Sequence, residues 1–223
     1  MESQFDIAPS CSPRLLVVSG FSGSGKGSVL GQFAEERRTV FGRPIEVVTS
    51  YTTRTPRYPG ENYHFVSPQA FMDMVQGNQF LEYNEAYSNN SYGTPIQGVC
   101  DAIRNGAVPC LEIDYTGLKK LLADSRIDSS SVVSVFITAS ADELYKRLCK
   151  RATETQEQIR KRLQTAMVES LHLDTYTYIL PNNTLPETVN DLQKAFEGTL
   201  RQNTTFDDVQ FRREVKRILD TIF

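Results

Sequence analysis

The 223-residue chain lacks several things whose absence narrows its function. No apolar stretch approaches the length of a membrane span, so no transmembrane helix is expected. There is no basic excess: 24 Lys and Arg stand against 27 Asp and Glu, a net charge of −3, which argues against a nucleic-acid ligand. Cysteine is sparse. Cys11, Cys100, Cys110 and Cys149 show neither a CxxC pair nor zinc spacing, and reduced thiols are the expectation. Two histidines, His64 and His172, are too few and too scattered for a metal site. The start, MESQFDIAPSCSPR, lacks the basic residues and apolar block of a secretory leader, so a cytoplasmic protein is expected. No internal repeat or long low-complexity segment is present. What remains has the size of one α/β domain carrying a small inserted lobe.

Apolar, β-branched runs alternate with helical patterns, the signature of crossover units on a parallel sheet. Strands are expected at residues 15–18, 45–48, 109–113, 132–137 and 178–180. Helices are expected at 26–38, 95–105, 116–122, 141–151, 157–172 and 186–200. Between Thr49 and Tyr92 the texture shifts to Tyr, Pro and Gly, which predicts a lobe of short antiparallel strands around a helix at PQAFMDMV. The last segment, TTFDDVQFRREVKRILDTIF, places apolar residues at 211, 215, 218, 219 and 222 on one helical face. Thr205 is the expected cap of that helix, with Asp207 and Asp208 in its first turn.

One motif carries chemistry by itself. GFSGSGKGS, Gly20 to Ser28, follows the apolar run RLLVVS and precedes an amphipathic helix. It meets the phosphate-loop pattern at Gly20, Gly25 and Lys26 but has Gly27 where a hydroxyl residue usually stands. Glycines at 20, 23 and 25 let successive backbone N–H groups face one concavity. The helix N-terminus and Lys26 add positive charge for the β- and γ-phosphates. The missing hydroxyl removes a usual Mg²⁺ contact, so the ion is expected to be held through water or through Ser28.

Arginines add to this. Arg54 and Arg57 lie in TTRTPR, on a loop stiffened by Pro56 and Pro59, where two guanidiniums could clamp a dianionic phosphate. Arg147, Arg151 and Arg162 flank ATETQEQ, a polar segment suited to a lid over transferring phosphates.

Together GFSGSGKGS, SYTTRTPRYPGENYHFVS, FLEY with SYGT, CLEIDYTGLKKL and LYKRLCKRATETQEQIRKRL resemble a guanylate kinase, in family order over residues 14 to about 200. The resemblance implies a P-loop kinase fold: a parallel sheet flanked by helices in a domain at 14–201, with a GMP-binding lobe near 49–92 and a lid near 149–158. A flexible tail (1–13) and a helical extension (202–223) lie outside it. It implies that Gly20, Phe21, Ser22, Gly23, Ser24, Gly25, Lys26, Gly27 and Ser28 bind ATP. It implies that Ser50, Arg54, Arg57, Tyr63 and Tyr92 hold the phosphate of GMP. Glu82 and Thr94 would read guanine, assisted by Ser50 and Asp114. Glu112 and Asp114 replace the family's usual pair of aspartates. Lys26, Arg147, Arg151 and Arg162 would be catalytic. The implied reaction moves the γ-phosphate of ATP, with Mg²⁺, to GMP or dGMP, in a monomer or homodimer. Two rivals use the same fold: a non-catalytic module that binds phosphorylated peptides, and a kinase of a phosphorylated sugar. The retained Lys26 and lid arginines weigh against the first, and Glu82 with Thr94 against the second.

Overall fold

The computed structural model describes residues 15–36, 38–56, 59–86, 90–150, 154–200 and 206–222. The first elements are β1 (Leu15–Gly20), α1 (Lys26–Glu35), β2 (Thr39–Val40), β3 (Arg43–Val47), β4 (Tyr51–Thr52), β5 (His64–Phe65), α2 (Pro68–Gln76) and β6 (Phe80–Ala86). Then come β7 (Asn90–Pro95), α3 (Ile96–Arg104), β8 (Val108–Leu111), α4 (Tyr115–Ala123), β9 (Val132–Thr138), α5 (Ala141–Lys150) and α6 (Gln156–Glu169). A 3₁₀ segment (Ser170–Thr175), β10 (Tyr178–Pro181), α7 (Leu185–Phe196) and α8 (Asp208–Ile222) complete the order. The chain divides into two compact units. The first takes β1 up to Val17 with Thr39–Val132; the second takes Val18–Arg38 and everything from Val133. The expected tail at 1–13 and the expected cap Thr205 lie outside the described residues.

In the first unit the strand order is β1-β8-β3-β2. β1 and β3 both pair parallel with β8, in register at Leu16↔Cys110 and Ile45↔Val108. Every residue of β8 is buried, the continuous apolar reading of a strand covered on both faces. The β2–β3 hairpin is absent from the sequence expectations. It turns at Phe41 and Gly42, both with positive φ, the backbone of the tight hairpin turns that match strand twist. The lobe forms a second sheet, β5-β4-β7-β6. Its β4–β7 and β6–β7 pairs are antiparallel as expected, but β4–β5 is parallel. The loop after β4 carries the chain back to re-enter in the same direction, so the lobe is mixed. It also reaches Pro95 rather than ending at Tyr92. The ring of Phe71 on α2 stacks on Phe80 at 4.7 Å, fixing α2 to this sheet.

In the second unit the order is β10-β9-β1, with β9 and β10 parallel in register at Phe136↔Ile179. α1 packs on α7 through Phe33 and Phe196, both fully buried with ring centroids 6.0 Å apart. Helix ends fall short of the sequence expectations. α1 stops at Glu35, and α6 passes after Glu169 into the 3₁₀ segment, where His172 leaves helical geometry. The C-terminal helix forms as α8. Phe211, Val215 and Ile218 are buried, and it packs on α5, α6 and the 3₁₀ segment. Its cap is Asp207, whose carboxylate accepts from Gln210 N–H at 2.8 Å. Cys100, Cys110 and Cys149 are free thiols. Among the described residues no helix is long and apolar enough to cross a membrane.

Candidate functional site

Two groups of the anticipated residues come together, one in each unit. In the second, β1 delivers the chain into the Gly20–Ser28 loop and α1 leaves it at Lys26. Gly25 precedes the helix at φ 90°, a conformation that glycine adopts without strain. A Cβ there would lie 2.4 Å from Nδ2 of Asn182, so any other side chain would collide with the group that holds the loop. Asn182, buried just after β10, donates from Nδ2 to the Ser24 carbonyl at 2.7 Å. Arg147 on α5 donates to the same carbonyl at 3.0 Å and to the Asn182 carbonyl at 3.3 Å. Arg162 on α6 donates to Ser22 Oγ at 2.6 Å and pairs with the Glu154 carboxylate at 2.8 Å. Ser22 and Ser24 thus bind the two arginines to the loop. Phe21 differs from its neighbours: its side chain is 2% exposed, turned into the core, and only its backbone belongs to the loop surface. Gly27 and Ser28 are exposed, and a Cβ at Gly27 would meet nothing within 4 Å.

The first unit holds the second group, in two adjoining clusters. Arg54 stands at the centre of one. Its Nε donates to the Tyr92 hydroxyl at 3.1 Å, and its guanidinium lies over the Tyr63 ring, 5.4 Å from the centroid. Tyr63 and Tyr92 meet edge to face at 5.9 Å. Glu61 takes both terminal nitrogens of Arg54, at 2.7 and 3.2 Å, a bidentate pair with both side chains largely buried. Burial alone would lower the Arg54 pKa, but the bonds to Glu61 and Tyr92 raise it. The guanidinium stays charged.

The other cluster is carboxylate-centred. Glu82 on β6 and Thr94 on β7 face each other across the antiparallel ladder, both buried, and Thr94 Oγ1 donates to Glu82 Oε1 at 2.6 Å. Gly117 lets α4 approach: a Cβ there would stand 2.8 Å from Glu82 Oε2. Burial pushes the Glu82 carboxyl up to about 7, and the charge of Asp114 adds to this while the Thr94 bond and Lys120 oppose it. Asp114 caps α4 by accepting from Gly117 N–H at 2.8 Å, and its other oxygen accepts from Asn84 Nδ2 at 3.2 Å.

Several expectations are modified. β8 ends at Leu111, so Glu112 and Asp114 follow the strand rather than ending it. Glu112 is half-buried, and its charge helps burial push the Cys110 thiol up. Ser50 is buried next to β4, with its carbonyl accepting from His64 N–H at 2.9 Å. Arg57 and Arg151 lie outside the described residues, as does most of the start of the expected lid. Sequence reasoning missed Asn182, Glu61, Glu154 and Asn84. Glu61 lies in the PGE string quoted with the arginines, so its signal was within reach. Asn84 and Asn182 act across 30 and 158 positions, Glu154 stands eight residues before Arg162, and none of the three has a local signature.

The comparisons with known proteins agree with this geometry. A family profile described as guanylate kinase matches residues 12–199. A guanylate kinase of Lactobacillus johnsonii is 37% identical over 192 residues, covering 82% of this chain and 88% of its own. One of Deinococcus radiodurans is 37% identical over 182 residues, covering 80% and 72%. Among solved structures, a guanylate kinase from Anaplasma phagocytophilum matches with TM-score 0.63 and 26% identity, covering 86% of this chain and 88% of its own. Its sequence, its fold and the composition of both residue groups make this chain a member of the guanylate kinase family.

Proposed function

We propose that the chain transfers the γ-phosphoryl group of ATP to GMP, or to dGMP, giving ADP and GDP or dGDP. A GMP phosphate oxygen attacks the γ-phosphorus and the bond to the β,γ-bridging oxygen breaks. The attacking oxygen is already anionic, so no general base is required. Alignment and charge neutralisation carry the reaction. The loop amides and Lys26 would hold the donor phosphates, with Arg147 and Arg162 beside them. Arg151 joins this set, and Arg57 joins the acceptor set, on the family resemblance alone. Arg54, Tyr63 and Tyr92 would hold the acceptor phosphate, which competes with Glu61 for the Arg54 fork.

The observation that carries the reading is the buried Glu82–Thr94 pair beside the Arg54 cluster. Guanine presents N1–H and N2–H₂ as adjacent donors to a carboxylate. Once Glu82 accepts these, the Thr94 hydroxyl is released to donate to O6. A phosphopeptide or a phosphorylated sugar lacks the flat edge of two adjacent N–H donors beside a carbonyl that matches this pair. Ser50 and Asp114 would support the base and the ordering of α4.

Mg²⁺ fits the donor set in a limited way. Among the described residues no cluster of carboxylates, histidines or cysteines could cage an ion. Mg²⁺ commonly keeps its waters and binds through substrate phosphates. The open space at Gly27 beside the Ser28 hydroxyl suits a hydrated ion. When bound, the ion neutralises charge on the donor phosphates. The reaction is assigned to the cytoplasm, with the two nucleotides as partners.

The test is turnover of ATP with GMP or AMP as acceptor. AMP would set its N1 lone pair against Glu82 and leave Thr94 without a carbonyl acceptor. A site built to hydrogen-bond its substrate rejects such a mismatch strongly, so kcat/KM should favour GMP by at least about a thousandfold. Comparable rates with the two acceptors would overturn the assignment.

A further inference from the structure

The buried side chain of Phe21 is the starting point, because a phosphate loop binds its ligand without needing an aromatic ring in the core. That ring meets Phe136 of β9 edge to face at 4.8 Å. It stacks on Phe211 of α8 with centroids 4.7 Å apart and planes 5° from parallel. Phe206, just before α8, lies 5.9 Å from Phe21 and 5.2 Å from Phe211. Among the described residues, two of the three rings around Phe21 therefore come from chain beyond residue 199, where the family match ends.

The rest of α8 is set against the same machinery. Its buried stripe, Phe211, Val215 and Ile218, packs on α5 and α6. Arg217 pairs with Asp142 on α5 at 3.2 Å, and Arg212 donates to Ser170 Oγ at 3.4 Å, just past α6. α5 carries Arg147 to the Ser24 carbonyl, and α6 carries Arg162 to Ser22 Oγ. Within the loop, the Phe21 carbonyl accepts from Ser24 N–H at 2.9 Å, so the placing of Phe21 sets the turn that both arginines grip. α8 is thus in contact with all three parts of the donor half: the loop through Phe21, and the two helices that supply its arginines.

We propose that α8 positions the ATP-binding half of the site, with Phe211 as a positioning residue that acts through Phe21 on the phosphate loop. Phe211 touches no substrate. Its ring keeps the loop in the conformation whose amides and Lys26 meet the triphosphate. Without the stack Phe21 can leave its slot, and a fraction of molecules carry a loop unsuited to ATP. The apparent affinity for ATP then falls by that fraction.

The experiment uses the full chain. Phe211→Ala and Val215→Ala are compared with the parent for melting temperature and for steady-state kinetics, with ATP varied at saturating GMP and then the reverse. Assays run at a temperature where every variant is folded. Val215 is buried on the same helix, so its truncation reports what loss of α8 packing does by itself. Aromatic pairs of this kind lead us to expect a KM for ATP raised roughly three- to tenfold in Phe211→Ala. KM for GMP should be unchanged, and Val215→Ala should lose stability with KM for ATP unchanged. If Phe211→Ala does not fold, Phe211→Leu carries the same comparison, since it fills most of the slot and removes the stack. A KM for ATP within twofold of the parent in the Phe211 variant overturns the proposal, and so does an equal rise in Val215→Ala. The inference rests on ATP being the donor. Should the parent protein itself fail to use ATP, the assignment of function falls; should only the variant comparison fail, the role of α8 falls alone.

Discussion

Glu82 is a carboxyl held in two opposing ways. Burial raises its pKa to about 7, while the Thr94 hydroxyl stabilises the ionised form. Folded protein therefore binds a proton at Glu82 that unfolded chain, with an ordinary carboxyl near 4.5, has already lost. Stability from this group is complete below about pH 4.5 and is lost as pH rises toward about 7, on the order of 3 kcal/mol over that window. Ligand binding has the opposite sign. Guanine donors need the carboxylate, so GMP should bind about tenfold more tightly at pH 8 than at pH 6, beyond any contribution from its own phosphate. Glu82→Gln removes the proton and provides the control. Calorimetric titration with GMP should show weaker binding in this variant and no such component in its pH profile, while ATP binding is retained. A parallel profile in both proteins would remove Glu82 from the base site.

At the scale of elements, α6 shows how a local rule can position a distant side chain. Thr155 and Gln158 form a capping box: Gln158 Oε1 accepts from Thr155 N–H at 2.8 Å, and Thr155 Oγ1 accepts from Gln158 N–H at 3.3 Å. This fixes the first turn of the helix that carries Arg162 to Ser22, with Glu154 immediately before the cap. Thr155→Ala should cost about 1 kcal/mol and Thr155→Ser much less. For a chain of this size that is a fall of about 2–4 °C in melting temperature, readable by circular dichroism. An alanine variant as stable as the parent would mean that the cap adds nothing. The TxxQ spacing is plain in the sequence, where the helix is expected from residue 157, one position past its observed start at Gln156. The parallel strands, the phosphate loop and most helices were legible because periodicity and glycine placement are local. The β2–β3 hairpin was not, because Phe41 at positive φ is not a turn signature. The lobe's parallel pair was hidden for another reason: strand direction depends on where the eleven residues between β4 and β5 return, which alternation cannot encode. In the site, Arg54 and Glu82 announced themselves by motif. Asn182 did not, since the bond from its side-chain amide into the loop reaches Ser24, 158 positions away.

At the scale of the whole molecule, the groups assigned to the two substrates come from different parts of the chain. Those for GMP run through one stretch, from Ser50 to Asp114, inside the first unit. Those for ATP come from two separated stretches, Gly20–Ser28 and Arg147 onward, inside the second. Each nucleotide alone should therefore leave its own footprint in amide hydrogen exchange. A ligand at a hundred times its Kd stabilises the state that binds it by about 2.7 kcal/mol, enough to slow exchange about a hundredfold wherever opening abolishes binding. With GMP alone, protection should concentrate at β4, at the loop leading to Tyr63, and at β6 and β7, where Arg54, Tyr92, Glu82 and Thr94 stand. With ATP and Mg²⁺ alone, it should concentrate at Gly20–Ser28 and at the turns of α5 and α6 around Arg147 and Arg162. Peptides covering Phe206 to Val215 should join the second pattern, because Phe211 lies against Phe21. GMP protecting the phosphate loop while leaving β6 and β7 unchanged would reverse the assignment of the two half-sites.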